Sequence, residues 1–218
     1  MEIKVVEKVM KVNDELAEGV RAKLSKAGVV GLNFISAPGS GKTTLIETAL
    51  RRLDGSPRIG VIEGDPDTTL DAERIAACGA PVTQVNTAGG CHLEANLVDR
   101  ALANFDLNQL DLLIIENVGN LVCPVSFDLG ESLRVAVVST TEGHDKPAKY
   151  PKLFRTASVV VLNKIDLLPH VNFDRAAFLD SVERLQPGVA VIEVSCTAGD
   201  GVDAWCDWLR RAAAGGRG

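Results

Sequence analysis

The chain has 218 residues, enough for one ordinary domain with a buried core, and its 46% hydrophobic and 24% charged residues exclude disordered, collagen-like and disulfide-scaffold classes. A formal net charge of −6 argues against broad electrostatic binding of nucleic acid. No apolar run is long enough to cross a bilayer, so we expect a cytoplasmic protein with neither nucleic-acid nor membrane partners.

The predicted elements alternate between helices and strands. Residues 1–26 form an amphipathic helix in this prediction, with apolar residues at helical spacing: Val5, Val6, Val9, Val12, Leu16, Val20 and Leu24. A strand over 29–35 and a helix over 42–53 follow. Further strands are predicted near 58–63, 82–86, 111–116, 133–140, 158–162 and 189–194. Further helices are predicted near 68–78, 93–104, 146–156, 174–185 and 202–213.

Strands that alternate with helices predict right-handed crossovers and a mostly parallel sheet with helices on both faces, which is a three-layer α/β fold. We divide the chain into an N-terminal helix (1–28), an α/β domain (29–213) and a flexible tail (214–218). Ligands of such sheets bind at the carboxyl ends of the strands, so the turns after the strands are where function is expected.

A glycine-rich turn follows the first predicted strand and resembles a Walker A loop, except that Ser36 replaces its first glycine. Its candidate nucleotide-binding residues are Gly39, Ser40, Gly41, Lys42, Thr43 and Thr44. Backbone N–H groups of such a loop converge on phosphate oxygens, the lysine neutralises the β- and γ-phosphates, and the threonine hydroxyl binds Mg²⁺. A glycine-containing turn without a ligand is the alternative, but the strand before it and the helix after it favour a P-loop NTPase.

The strand near 158–162 ends in Asn163-Lys-Ile-Asp166, an N-K-x-D pattern that favours guanine. The Asp166 carboxylate can accept hydrogen bonds from guanine N1–H and its amino group, whereas adenine presents a lone pair there. Asn163 can hold the loop and the Lys164 stem can cover the base. A strand-end turn in which Asn and Asp only cap is the alternative. Ser195, after the last strand, is a weaker candidate for a second base-contacting loop.

Two further strand ends carry carboxylates. Glu116 closes the strand 111–116 and is followed by Gly119, where the usual pattern is Asp-x-x-Gly, and Asp65 follows the strand 58–63. We expect Gly119 to sense the γ-phosphate, and Thr43, Asp65 and Glu116 to hold Mg²⁺, although Asp65 in a plain helix-capping turn is an alternative. No glutamine follows Gly119, which predicts slow hydrolysis. The candidate catalytic residues are Lys42, Thr43, Asp65, Glu116 and Gly119.

A second set of residues suits a transition metal. Cys91 and His92 are adjacent at the predicted start of a helix, whose dipole favours a thiolate, and Cys123 lies four residues after Gly119. Thiol and imidazole ligands suit Ni²⁺ or Zn²⁺. Structural or merely exposed residues are the alternative. Three ligands leave the site open for water or for a second subunit.

Several sequence runs together resemble the HypB family of nickel-insertion GTPases, which is of the same class as the urease-maturation GTPase. The runs are Ser-Ala-Pro-Gly-Ser-Gly-Lys-Thr-Thr, Val-Asn-Thr-Ala-Gly-Gly-Cys-His-Leu-Glu-Ala, Ile-Glu-Asn-Val-Gly-Asn-Leu-Val-Cys-Pro, Glu-Gly-His-Asp-Lys-Pro-Ala-Lys-Tyr-Pro and Leu-Asn-Lys-Ile-Asp. The resemblance implies that Ser36 and Glu116 are normal for the family. It also implies that Cys91, His92 and Cys123 form a metal site that accepts nickel or zinc near a nucleotide-promoted dimer interface.

Our main hypothesis is a metallochaperone in which GTP with Mg²⁺ promotes a homodimer, and hydrolysis releases Ni²⁺ towards a hydrogenase large-subunit precursor, with a companion nickel chaperone as partner. One alternative is a regulatory GTPase whose cysteines hold structural zinc or nothing. Another is a nucleotide-gated interaction module with little turnover. The hypotheses differ in coupling, because metal and nucleotide that share one switch change each other's affinity by the same factor.

Overall fold

A seven-stranded sheet in the order β3-β2-β4-β1-β5-β6-β7, with every neighbouring pair parallel, forms the centre of the computed structural model. The structure describes residues 4–65 and 68–215, with side chains from residue 10 onward. The strands are β1 (Val30–Ser36), β2 (Ile59–Asp65), β3 (Val82–Asn86), β4 (Leu112–Glu116), β5 (Leu133–Ser139), β6 (Val159–Asn163) and β7 (Ala190–Val194). The helices are α1 (Lys4–Ala27), α2 (Lys42–Leu53), α3 (Leu70–Ala76), α4 (Ala95–Leu102), α5 (Lys146–Lys149), α6 (Pro151–Thr156), α7 (Arg175–Leu185) and α8 (Val202–Gly215).

Helices cover both faces of this sheet, which confirms the predicted three-layer fold. Leu45 of α2, Ile75 of α3 and Trp205 of α8 are buried in one core cluster with side chains from the sheet. On the opposite face, α1 and α4 share a second cluster and α6 and α7 a third, each packed on the other side of the strands. The strands read as continuous apolar runs because both faces are buried.

The sheet brings the functional turns to one edge, which is formed by the carboxyl ends of its strands. β1 lies between β4 and β5, so the glycine-rich turn after Ser36 is central. Because all strands run in the same direction, the residues that end β2, β4 and β6 reach this edge with it, namely Asp65, Glu116 and Asn163. The site therefore lies where connections leave the sheet in opposite directions, as expected for open α/β folds.

The inward face of α1 differs from the prediction. Val12 and Leu16 were expected in the apolar face but are 51% and 37% exposed, whereas Asn13 and Ala17 point inward with Val20 and Leu24. At 3.6 residues per turn, positions 13, 17, 20 and 24 share one face of a helix more closely than positions 12, 16, 20 and 24 do. This face lies close to Gly130, where an added Cβ would be 2.5 Å from the Ala17 carbonyl oxygen. The predictions for Val5, Val6 and Val9 lie outside the residues whose side chains are described.

Two other predicted helices are corrected. The helix expected over 146–156 is two short helices, because Pro151 has no N–H to continue α5 and instead begins α6. The helix expected over 93–104 begins at Ala95, so Cys91 and His92 lie in the loop before it rather than at its first turn.

The proposed division into residues 1–28, 29–213 and 214–218 remains a prediction, and residues 216–218 of the tail lie outside the described part of the chain. α1 packs against α4 and is continuous with the core. Within the described residues, no helix is both long enough and apolar enough to span a membrane.

Candidate functional site

The glycine-rich turn has the backbone of a phosphate-binding loop. Gly39 and Gly41 adopt positive φ angles of 74° and 93°, and a Cβ on Gly41 would lie 2.6 Å from Asn163 Nδ2, so a side chain is excluded there. Lys42 Nζ donates to Ser36 Oγ at 3.0 Å. Ser36, which replaces the first glycine of a Walker A loop, therefore contacts the lysine that is expected to neutralise phosphate.

A cavity of about 570 Å³ opens over this turn and is lined by both predicted and unpredicted residues. Its predicted lining residues are Gly39, Gly41, Lys42, Thr43, Thr44, Asp65, Glu116, Gly119 and Lys164. Ser40 does not line it, because its hydroxyl is buried and donates to Glu142 Oε1 at 2.6 Å. A second cavity, of about 390 Å³, lies at the opposite edge of the sheet and contains none of the predicted site residues.

Two buried glutamates face this cavity. Glu116 accepts a hydrogen bond from Thr43 Oγ1 at 2.8 Å through Oε1, and Glu63 is its register partner on the neighbouring strand β2. Burial raises the pKa of Glu116 to about 7, although Lys42 and the Thr43 hydrogen bond oppose the shift. Burial, and then the charge of Glu116, raise the pKa of Glu63 to about 8. Both carboxyls therefore hold protons more tightly than free glutamate does.

One oxygen of each glutamate has no hydrogen-bond partner among the described residues, namely Glu63 Oε2 and Glu116 Oε2. Buried carboxylate oxygens without donors, beside a threonine hydroxyl, suit a hard cation with oxygen ligands such as Mg²⁺. The donor set therefore fits the magnesium ion that accompanies nucleotides in P-loop proteins.

Asp65 belongs to a cluster of three carboxylates, of which only Asp65 was predicted from the sequence. Oxygens of Glu63, Asp65 and Asp71 lie within 4.8 Å of one another. Asp65 Oδ1 also accepts from the Thr68 N–H at 2.6 Å, so the alternative of a capping turn describes part of its role. Glu63, Asp71 and Arg74 also line the cavity but are not among the residues predicted from the sequence. Glu63 was detectable, because it stands near the end of β2 as Glu116 ends β4.

Gly119 lies directly against the phosphate loop. A Cβ on Gly119 would be 2.8 Å from Pro38 Cα and 2.9 Å from Pro38 N, so only glycine allows the two backbones to approach. The nearby Asn120 organises its own turn, because its Oδ1 accepts from the N–H groups of Val122 at 2.7 Å and Cys123 at 3.2 Å. Its amide oxygen is committed to the backbone that carries Cys123.

The predicted base-recognition residues hold the other end of the phosphate loop. Asn163 Nδ2 donates to the Ser40 carbonyl at 2.9 Å, and Lys164 Nζ donates to the Gly39 carbonyl at 2.7 Å. Asp166 is exposed in the 3₁₀ turn that follows β6. The structure thus brings Asn163 and Lys164 onto the loop and leaves the Asp166 carboxylate accessible to a base.

Ser195 has a local structural contact. It is fully buried, and its hydroxyl accepts from the Ala198 N–H at 3.0 Å, which organises the turn after β7. The neighbouring Cys196 thiol lies 3.7 Å from Asn163 Oδ1. Burial raises the pKa of Cys196, and the charge of Asp166 adds to that shift, so this turn lies beside the N-K-x-D residues.

Cys91, His92 and Cys123 come together although 32 positions of sequence separate the outer two. Their ligand atoms lie within 4.8 Å of one another, and Cys91 Sγ is 3.4 Å from His92 Nδ1. Tetrahedral zinc with Zn–S near 2.3 Å and Zn–N near 2.0 Å separates sulfur and nitrogen by about 3.5 Å, so one ion can bind both atoms. Cys91 is exposed, which leaves the cluster open on one side.

The expectation that a helix dipole favours the Cys91 thiolate is wrong, because Cys91 does not lie in the first turn of α4. α4 begins four residues later, and the hydrogen bond with the Cys123 thiol raises the pKa of Cys91, with burial as the next cause. His92 has its pKa lowered by burial and stacks on Phe127 with ring centroids 3.9 Å apart. A neutral imidazole is the form that binds a metal.

Cys91, His92 and Cys123, together called the metal cluster below, are attached to the same polypeptide segment that lines the nucleotide cavity. Asn117 follows Glu116, is 1% exposed, and accepts from the Leu93 N–H at 3.0 Å through Oδ1. Leu93 directly follows His92. Cys123 is joined to the same segment covalently through Gly119 and Asn120. The metal cluster therefore has two arms, one that carries Cys91 and His92 and one that carries Cys123, and both are attached to residues that line the nucleotide cavity.

Comparisons with known proteins agree with this geometry. The family model described as "CobW/HypB/UreG, nucleotide-binding domain" matches residues 32–193. The chain is 49% identical over 209 residues to the hydrogenase maturation factor HypB of Escherichia coli K12, covering 96% of this chain and 71% of that protein.

Two solved structures are similar over almost their whole length. HypB from Archaeoglobus fulgidus superposes with a TM-score of 0.87 at 39% identity, covering 93% of this chain and 99% of that one. HypB from Helicobacter pylori in complex with nickel gives a TM-score of 0.87 at 34% identity, covering 92% and 94%. The chain therefore belongs to the CobW/HypB/UreG family of P-loop nucleotide-binding proteins and, within it, to the HypB hydrogenase maturation factors.

Proposed function

We propose that the protein is a GTPase that binds nickel as cargo at Cys91, His92 and Cys123 and couples that binding to the nucleotide state. The observation that carries the proposal is the shared segment: Asn117 accepts from the N–H beside His92, and Cys123 follows Gly119 by four residues. The similarity to a HypB that was solved in complex with nickel supports the choice of metal.

Guanine specificity rests on the N-K-x-D turn. Asn163 and Lys164 anchor the turn to the phosphate loop, and the Asp166 side chain is exposed. In this position it accepts from the N1–H and amino group of guanine, and it would oppose the N1 lone pair of adenine. Ser195 serves by shaping the adjacent turn rather than by touching the base.

Hydrolysis is assigned to the residues that line the cavity. Lys42 neutralises the β- and γ-phosphates, and Thr43 with Glu116, supported by Asp65, would hold Mg²⁺. When bound, Mg²⁺ would neutralise phosphate charge that develops during transfer. Gly119 presents its N–H at the γ-phosphate because its close contact with Pro38 fixes the segment. No glutamine follows Gly119, and the shorter Asn120 uses its amide oxygen to hold its own turn, which supports slow intrinsic hydrolysis.

The metal cluster fits a transferable cargo better than structural zinc. Structural zinc sites are closed by four protein ligands, whereas this cluster has three among the described residues and one of them, Cys91, is exposed. Water or a second copy of the chain can complete it. We propose that GTP favours a homodimer at this surface, and that a companion nickel chaperone and a hydrogenase large-subunit precursor are the donor or receiver of nickel. The relatives are hydrogenase maturation factors, which supports this last assignment.

The guanine assignment is tested by Asp166→Asn, with GTP and xanthosine triphosphate affinities measured side by side. The amide presents a donor to guanine N1–H, so GTP affinity falls at least 10-fold and xanthosine triphosphate gains relative to it. Asp200→Asn, a change in the neighbouring exposed turn, is the matched control and leaves the ratio unchanged. An unchanged ratio in Asp166→Asn would remove the guanine assignment.

A further inference from the structure

α1 contacts the segments that follow the metal-binding residues through a buried polar side chain, Asn13. The amphipathic pattern of α1 does not explain this contact. Asn13 is 5% exposed, although it lies on the inward face of the helix between apolar side chains. Burying an amide costs free energy unless its polar atoms are hydrogen-bonded, so a buried asparagine on an apolar face has a specific set of partners. Those partners are backbone atoms far away in sequence.

Asn13 joins two segments that each follow a metal-binding residue. Its Oδ1 accepts from the Ala95 N–H at 2.9 Å, and its Nδ2 donates to the Asp128 carbonyl at 2.8 Å. Ala95 is the first residue of α4 and lies three positions after His92. Asp128 lies five positions after Cys123. One amide therefore fixes the separation between the two arms of the cluster.

The contact at Ala95 replaces a missing helix cap. The first N–H groups of a helix have no partner within it, and Glu94 at the N-cap position of α4 makes no side-chain cap. Asn13 supplies that acceptor from a different helix. The start of α4, and with it the loop that carries Cys91 and His92, is thereby attached to α1.

The contact at Asp128 reaches His92 through the neighbouring residue Phe127. Phe127 precedes Asp128, and its ring stacks on His92 at 3.9 Å. The Asp128 carboxylate is itself held to α1 by Arg21 Nη2, at 2.8 Å and 2.7 Å.

We propose that Asn13 is a positioning residue for the metal cluster, so that α1 is a structural part of the metal centre and not only a cover for the sheet. Metal ligands are held by surrounding hydrogen bonds, and loss of such a bond lowers metal affinity about 10-fold to 100-fold. Because binding is reciprocal, any partner that displaces Asn13 would lower nickel affinity by the same route. This inference rests on the proposed function of Cys91, His92 and Cys123.

The test is a Ni²⁺ titration of the purified full chain, followed by the thiolate-to-nickel charge-transfer absorbance, with GTP-analogue affinity measured on the same samples. Asn13→Ala removes both bonds, and we expect nickel affinity to fall about 10-fold to 100-fold with an altered charge-transfer band. Asn13→Asp keeps the acceptor for Ala95 but opposes the Asp128 carbonyl, and we expect an intermediate loss. Nucleotide affinity stays within about twofold in both variants, because the nucleotide cavity contains no atom of Asn13.

Lys23→Met is the matched control, because it removes the contact of Lys23 with Asp99, which also joins α1 to α4 but involves neither of the residues that Asn13 contacts. Its nickel affinity should equal that of the unaltered chain. If Asn13→Ala does not fold, Asn13→Asp carries the test.

The inference is overturned if the folded Asn13 variants bind nickel with unaltered affinity and band, or if they lose nucleotide and nickel affinity together. Cys91→Ser is titrated in parallel to separate the two proposals. Nickel binding that is indifferent to Cys91 refutes the proposed function itself. Binding that depends on Cys91 but not on Asn13 refutes only the role of Asn13.

Discussion

Glu63 provides a quantitative prediction, because it is 2% exposed and has a pKa of about 8. A glutamate in the unfolded chain titrates near 4.5. Between these values the folded protein holds a proton that the unfolded chain releases, so the free energy of unfolding falls as pH rises. The slope is about 1.4 kcal/mol per pH unit, which amounts to about 3 kcal/mol between about pH 5.5 and about pH 7.5.

Glu63→Gln removes this contribution, because glutamine has similar volume and no titrating proton. We expect the decline in stability across that pH range to become about 3 kcal/mol smaller, with a remaining slope from Glu116, whose pKa is about 7. The assay is urea unfolding at several pH values without nucleotide and with a chelator. Glu15→Gln, at an exposed position of α1, is the control and keeps the original slope. If the pH dependence of stability were unaltered in Glu63→Gln, the claim that the folded protein holds a proton on the buried Glu63 carboxyl would be refuted.

Two further variants test the switch segment and the metal ligands. Gly119→Ala places a methyl group 2.8 Å from Pro38 Cα, so single-turnover GTP hydrolysis should fall at least 10-fold while GDP binding persists. Gly19→Ala, which meets nothing within 4 Å, is its control, and equal hydrolysis rates in both would contradict a required close contact. Cys91→Ala and Cys123→Ala should each lower nickel affinity at least 10-fold with GTP affinity intact, as measured by titration. Cys78→Ala, outside the cluster, should change neither, and wild-type nickel binding in both cluster variants would exclude the site.

The fold was largely predictable because periodicity and turn residues agree along the chain. Buried apolar runs between glycine-rich turns predict parallel strands, and all seven strands are present. The break at Pro151 was also detectable, since proline has no N–H for a helix interior. The close approach of Gly130 to Ala17 on the inward face of α1 was not, because it depends on a loop more than a hundred residues away.

The site was predictable where chemistry is local and less so where it depends on packing. Lys42 and Thr43 follow from one contiguous motif. Cys91, His92 and Cys123 were proposed from residue type, and the structure brings them together across three strands. Asn13 was missed because its partners are 82 and 115 positions away and an apolar pattern gives no weight to a buried amide. The raised pKa of Cys91 depends first on Cys123, which is distant in sequence, so the position of Cys91 relative to the following helix could not predict it.

The most direct test of the account is a Ni²⁺ titration of the purified chain in three states: without nucleotide, with GDP, and with a non-hydrolysable GTP analogue, with the oligomer mass measured in each state. Because Asn117 and Cys123 join the metal cluster to the segment beside the γ-phosphate, we predict nickel affinities that differ between the GDP and GTP-analogue states by at least fivefold, together with dimer formation in the analogue state. Nickel affinity and mass that are the same in all three states would contradict the proposed coupling.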